Sequence, residues 1–118
     1  MKVKGLSPIH PTEDPEKVLG SILNIFPSAE NVVSSDSITF TCPDLDRFKE
    51  LLMDQQIRDT AVMVIGKGLN GDSSDFFLNK QAALVERINF TDERSTLGDI
   101  EVKVMEGARQ LISDITPE

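Results

Sequence analysis

Side chains able to do chemistry are sparse in this sequence and gather in four places. The first holds His10, Glu13 and Asp14. An imidazole beside carboxylates can bind a metal ion or work as an acid–base pair. His10 is the sole histidine and Cys42 the sole cysteine, so a closed zinc site of the Cys/His type cannot form within one chain. Carboxylates there could still hold a weak Mg²⁺. The competing reading is a turn ending in a helix cap. Asp14 caps, Pro15 takes the first helical position, and Glu13 and Glu16 suit the positive end of the dipole. That reading needs only local sequence. A small metal-dependent enzyme using the His10/Glu13/Asp14 turn is the alternative.

The second place is Cys42, which shares an alternating face with Ile38 and Phe40. A nucleophilic thiol needs a lowered pKa and a nearby base, whereas this position predicts a buried, inert one. The third is Gly66-Lys67-Gly68-Leu69-Asn70-Gly71, a formal G-x-G-x-x-G. In a dinucleotide fold such glycines bring backbone N–H groups to a pyrophosphate. Here the segment before it, from Ile57, has helical spacing, and Asp72 and Asp75 put negative charge where phosphates would sit. A glycine-rich turn from helix to strand is the expected outcome, and no cofactor is expected. The fourth is Asn79-Lys80-Gln81, read as a polar turn between two strands. Two amides and an ammonium suit phosphate or backbone recognition. With Arg87 they are the candidate RNA-contacting residues, and Lys80 and Arg87 are the candidates for a local positive patch, with Lys103 across the sheet.

The composition limits what those groups can do. Twelve Lys+Arg face 20 Asp+Glu, a net charge of −8. That argues against general nucleic-acid binding, against DNA and against an anionic membrane surface. Trp and Tyr are absent and Phe numbers 6, so stacking platforms for bases are poorly supplied. The longest apolar run, Ala61 to Ile65, is far too short for a membrane span. Met1 to His10 has no apolar stretch, so no signal peptide is expected, and the Asn89-Phe90-Thr91 sequon then carries no meaning. A single cysteine fits a reducing, cytoplasmic setting.

The elements that must position these groups can be read from periodicity. One domain over 1–118 is expected at this length. Residues 2 to 9 predict a strand, weakened by Gly5, followed by a proline-rich turn. A helix then runs to about Phe26, with Val18, Leu19, Ile22, Leu23 and Phe26 on one face, and Pro27 stops it. Asn31 to Cys42 predicts a hairpin turning at Ser35-Asp36-Ser37. A second helix opens at Pro43-Asp44 and ends near Asp54, where Gln55-Gln56 break its stripe. A third runs from Ile57 to Lys67. Strands are expected over Asp75 to Lys80, Leu84 to Thr91 and Asp99 to Met105, and a helix over Glu106 to Ile115. The order predicts an α+β fold with a mainly antiparallel sheet and helices packed on one face. Glu86 falls on the Leu84/Ile88/Phe90 face, where an unpaired buried carboxylate is costly, so an edge, a bulge or a subunit contact is expected there.

Five blocks carry a resemblance over nearly the whole chain. They are Pro8-Ile9-His10-Pro11-Thr12-Glu13-Asp14-Pro15-Glu16-Lys17-Val18, Asn24-Ile25-Phe26-Pro27, Leu78-Asn79-Lys80-Gln81-Ala82-Ala83, Asn89-Phe90 and Leu97-Gly98-Asp99-Ile100. Together they resemble a family of small uncharacterised archaeal proteins labelled RNA-binding or exosome-associated. The resemblance implies a fold similar to the ribosomal protein that holds 5S RNA, a homodimer, and no catalytic residues. At Glu86 the sequence departs from the family pattern, which implies glycine. Label and charge pull apart. The combined expectation is a non-enzymatic, dimeric binding module in an RNA-handling assembly, with a protein partner and weak or absent direct RNA binding through Asn79, Lys80, Gln81 and Arg87.

Overall fold

Alternating apolar patterns become strands, and 3.6-residue patterns become helices laid over one face of them. The computed structural model describes residues 1–91 and 99–117. Along the chain come β1 (Lys2–Pro8), α1 (Pro15–Ile25), β2 (Glu30–Val33), β3 (Ser37–Cys42), α2 (Asp46–Asp54) and α3 (Arg58–Lys67). Then follow β4 (Ser74–Leu78), α4 (Lys80–Leu84), β5 (Phe90–Thr91), β6 (Ile100–Glu106) and α5 (Ala108–Ile115). The strands form one six-stranded sheet in the order β2-β3-β1-β6-β4-β5, antiparallel at every pairing. This is the expected α+β class. Leu97-Gly98 of the last resemblance block lies outside the described residues.

The inner face of the sheet carries Val3, Ile38, Phe40, Cys42, Phe76, Leu78, Ile100, Val102 and Val104, all buried. The helices meet it with the stripes their spacing implies, such as Phe48, Leu51 and Leu52 on α2 and Ala108, Leu111 and Ile115 on α5. Five of the six phenylalanines gather there. Phe26 stacks on Phe40 and Phe48 at 5.4 and 5.9 Å, and Phe48 meets Phe76 and Phe90 at 5.6 and 6.4 Å. Those five are therefore core material and not a platform for bases. Gly5 is explained by the same cluster. It lies opposite Phe40, and a β-carbon at Gly5 would fall inside that ring.

The outer face is different. Lys4, Thr39, Thr41, Asp75 and Lys103 alternate with the buried positions and are exposed, and no helix of the described residues covers them. Leu6 and Val32 sit on that face at 37% and 70% exposure.

Two expectations fail, at the same place. Asn79-Lys80-Gln81 is not a turn between strands, because Asn79 caps α4 and its side chain accepts from the Ala82 N–H at 2.8 Å. Nor is Leu84 to Thr91 a strand. Leu84 ends α4, Val85 and Glu86 turn the chain, and pairing resumes only at Phe90. Leu84 is 44% exposed while Ile88 is buried, so the period-two pattern across them is coincidental. Glu86 has φ 61°, a left-handed backbone that glycine adopts without strain. That is the physical basis of the glycine implied there.

Candidate functional site

The proline-rich turn, α1 and α4 enclose a cleft of about 550 Å³. Thr12, Lys17, Gln81 and Leu84 line its exposed rim, and Val18 and Ser21 its inner wall. Its base is an ion pair between Glu13 and Lys80, 67 residues apart in the chain, at 3.0 Å and with side chains 15% and 8% exposed. The Lys80 ammonium also donates to the Pro8 carbonyl at 2.7 Å, and the Glu13 carboxylate also accepts from the His10 N–H at 2.8 Å. Lys80 thus ties the end of β1, the turn and α4 together.

Further contacts lock the same corner. Asn24 on α1 donates to the carbonyls of Ala83 and Leu84 at 3.0 and 3.1 Å, clamping the end of α4. The Asn79 N–H donates to the Asn89 carbonyl at 2.8 Å. Four of the five blocks that carry the resemblance therefore converge at one junction. Gln55, just past α2, reads the next turn. It donates to the Glu86 carbonyl at 2.8 Å and accepts from the Ile88 N–H at 3.0 Å. Gln55 was legible only as a break in an apolar stripe; nothing in its spacing links it to Glu86 and Ile88.

The four candidate RNA-contacting residues divide into two kinds. Asn79 and Lys80 face inward, as cap and as ion-pair partner, and Gln81 and Arg87 are exposed. Lys80 opens α4, whereas Arg87 lies three residues past its end. Lys103 is on the far face of the sheet, so the three cations do not form the single patch the sequence led us to expect.

The metal-centre alternative loses its geometry. Glu13 faces Lys80, the Asp14 carboxylate accepts from the Glu16 N–H at 3.0 Å, and the His10 ring meets Thr12 at 3.0 Å. Among the described residues, no three His, Cys, Asp or Glu side chains are placed to share a metal ion. The Cys42 thiol is pushed up to about 12 by burial, with the Asp44 charge adding to it, so it is a poor nucleophile. The G-x-G-x-x-G stretch follows helix α3 and precedes strand β4, the reverse of a dinucleotide motif. Gly68 is required there by close approach, since its β-carbon would lie 2.5 Å from the Asp75 carbonyl.

A family model described as RNA binding matches residues 7–105, which take in the turn, α1 and α4. A UPF0201 protein of Methanothermobacter thermautotrophicus is 42% identical over 106 residues, covering 87% of this chain and 80% of that protein. The chain belongs to the UPF0201 family. A UPF0200/UPF0201 protein of Archaeoglobus fulgidus is 50% identical over 95 residues, or 80% of this chain, which spans only 29% of that longer protein. A UPF0201 crystal structure superposes with a TM-score of 0.92 at 41% identity, covering 100% of this chain and 94% of the other. Among the described residues, no helix is long and apolar enough to cross a membrane.

Proposed function

We propose that this UPF0201 chain is a non-enzymatic, RNA-associated binding module: one α+β domain over residues 1–118, acting as a homodimer in a cytoplasmic RNA-handling assembly of the exosome type. The observation that carries the reading is the RNA-binding family model over residues 7–105. The likeness in fold to the ribosomal protein that holds 5S RNA is part of this proposal. The net charge of −8 limits direct RNA binding to a weak, local contact and favours a basic protein partner. Gln81 on α4 and Arg87 in the turn beyond it are the exposed contact residues, and Asn79 and Lys80 hold that helix in place.

Fluorescence anisotropy with a labelled structured RNA and a labelled single strand, at low and near-physiological salt, tests the reading. Micromolar binding that falls as salt rises supports it. No binding at low salt, where electrostatic attraction is greatest, overturns the RNA part. Light scattering tests the dimer, and a mass near 13.0 kDa at micromolar concentration overturns it.

A further inference from the structure

Strand β2 lies at one edge of the sheet and pairs only with β3. All its residues are exposed, Val32 at 70% and Val33 at 48%. Glu30 and Val32 alternate with Asn31 and Val33, so the strand is open on both faces as well as along its edge. Its hydrogen bonding follows from its neighbours. The Ser34 N–H donates to the Ser37 carbonyl at 2.8 Å, and on the other side of β3 the Ile9 N–H donates to the Asp36 carbonyl at 2.7 Å. Both bonds place the β2–β3 ladder bonds at Val32 with Thr39 and at Glu30 with Thr41. Asn31 and Val33 therefore turn their N–H and C=O groups outward, and among the described residues these groups have no partner. Exposed edges are usually guarded by a lysine, a proline or a bulge. The sequence Glu-Asn-Val-Val has neither residue, and its register with β3 runs without a shift.

We infer that β2 pairs antiparallel with β2 of a second copy, about a two-fold axis through Val32, joining two six-stranded sheets into one. The strand is complementary to itself in that register. Asn31 meets Val33 of the second copy, and Val33 meets its Asn31, so every outward N–H finds a C=O. Val32 faces Val32 of the second copy in a non-hydrogen-bonded pair, where side chains come closest. Glu30 falls opposite Ser34, so no like charges are directly opposed. That matters in a chain of net charge −8, whose copies repel each other. The edge strand carries one charge, Glu30, and is a place where two acidic copies can meet. The inference rests on the homodimer reading and names its interface. A short edge makes a small contact, so a weak, micromolar dimer is expected.

Val32→Cys puts two thiols across the axis with Cα atoms about 4.5 Å apart, within disulfide range. Val33→Cys is the collision control, since its two copies lie two residues out of register at about 8 Å, too far to bridge. Cys42 is buried and does not compete. Mild oxidation at micromolar concentration, read on a non-reducing gel, should cross-link Val32→Cys about tenfold faster or more. Val33→Pro removes an outward N–H and leaves the β2–β3 bonds intact, a change that edge strands tolerate. Symmetry deletes that bond twice, so dimer affinity by light scattering should fall about 10–100-fold. Circular dichroism checks folding.

Selective cross-linking of Val32→Cys and a folded, monomeric Val33→Pro are the expected results. Equal cross-linking of both cysteine variants, none at Val32→Cys in a dimeric wild type, or a folded Val33→Pro that stays dimeric would overturn the inference. Each would leave a homodimer through another surface. A wild-type mass near 13.0 kDa at micromolar concentration would overturn the homodimer as well, and the open edge would pass to an extended segment of another protein. If Val33→Pro fails to fold, the two cysteine variants decide alone.

Discussion

Replacing Lys80 by methionine would expose how much the cleft depends on its ion pair. Methionine keeps most of the apolar stem and removes the ammonium. Glu13 would then stay 85% buried with one N–H donor, from His10, in place of its counter-charge. The Pro8 carbonyl would lose a donor at 2.7 Å. Breaking a buried pair from one side costs about 3–5 kcal/mol. The His10 bond and the partial exposure of Glu13 place this case near 3 kcal/mol. That is a large share of a domain's usual 5–15 kcal/mol and corresponds to a fall in Tm of about 10–20 °C at this length. Urea unfolding would show a lower midpoint at unchanged slope. The double variant Glu13→Gln/Lys80→Met should be less unstable than the sum of the singles by about 1–3 kcal/mol. A Lys80→Met loss below about 1 kcal/mol, or strict additivity, would refute this account of the junction.

Three other outcomes follow from local geometry. Glu86→Gly relieves a left-handed backbone at φ 61° and should raise stability by about 0.5–1 kcal/mol after the entropy of glycine is set against it; a lower urea midpoint would contradict this. The Asp72 carboxyl is held below its ordinary range because it accepts from the Gly107 and Arg109 N–H groups at the start of α5. Its contribution is full above the unfolded-state pKa and lost as pH falls through the lower folded value. Asp72→Ala should therefore melt below wild type at pH 7, with the gap closing toward pH 3; a gap independent of pH would exclude this role. Cys42, with its thiol pushed up to about 12, should resist a disulfide reagent at pH 8 in the native state and react fully in denaturant. Rapid native labelling would show that it is reachable.

Helix faces and strand alternation were legible because burial follows periodicity. Ile38, Phe40 and Cys42 on β3, and Val18 and Ile22 on α1, are buried as their spacing implies. The α1 cap at Asp14 was legible because capping is local. The stretch from Asn79 to Phe90 was not, because alternation over Leu84, Glu86 and Ile88 mimics a strand. What decides it is tertiary: Asn24 holds the end of α4 and Gln55 holds the turn beyond. The junction itself was half legible. Both halves stood out as distinctive blocks, yet no spacing rule says that Glu13 meets Lys80 across 67 residues. That Lys4 meets Lys103 across the sheet was hidden for the same reason, since register between β1 and β6 is a property of the assembled sheet.

The place of β6 in the strand order governs how the chain comes together. It separates a three-strand group, β2-β3-β1, from a two-strand group, β4-β5, and pairs with both. During synthesis β1 can zip to β3 early, but its other edge stays bare until β6 emerges about 100 residues after β1 begins. At about 5–20 residues per second that wait is about 5–20 s. A bare central strand is a template for pairing with a neighbouring nascent chain. Lys2 and Lys4, which alternate with Val3 along that edge, repel like copies of it during the interval. The lysines are thus gatekeepers of the growing chain before they are part of a finished surface.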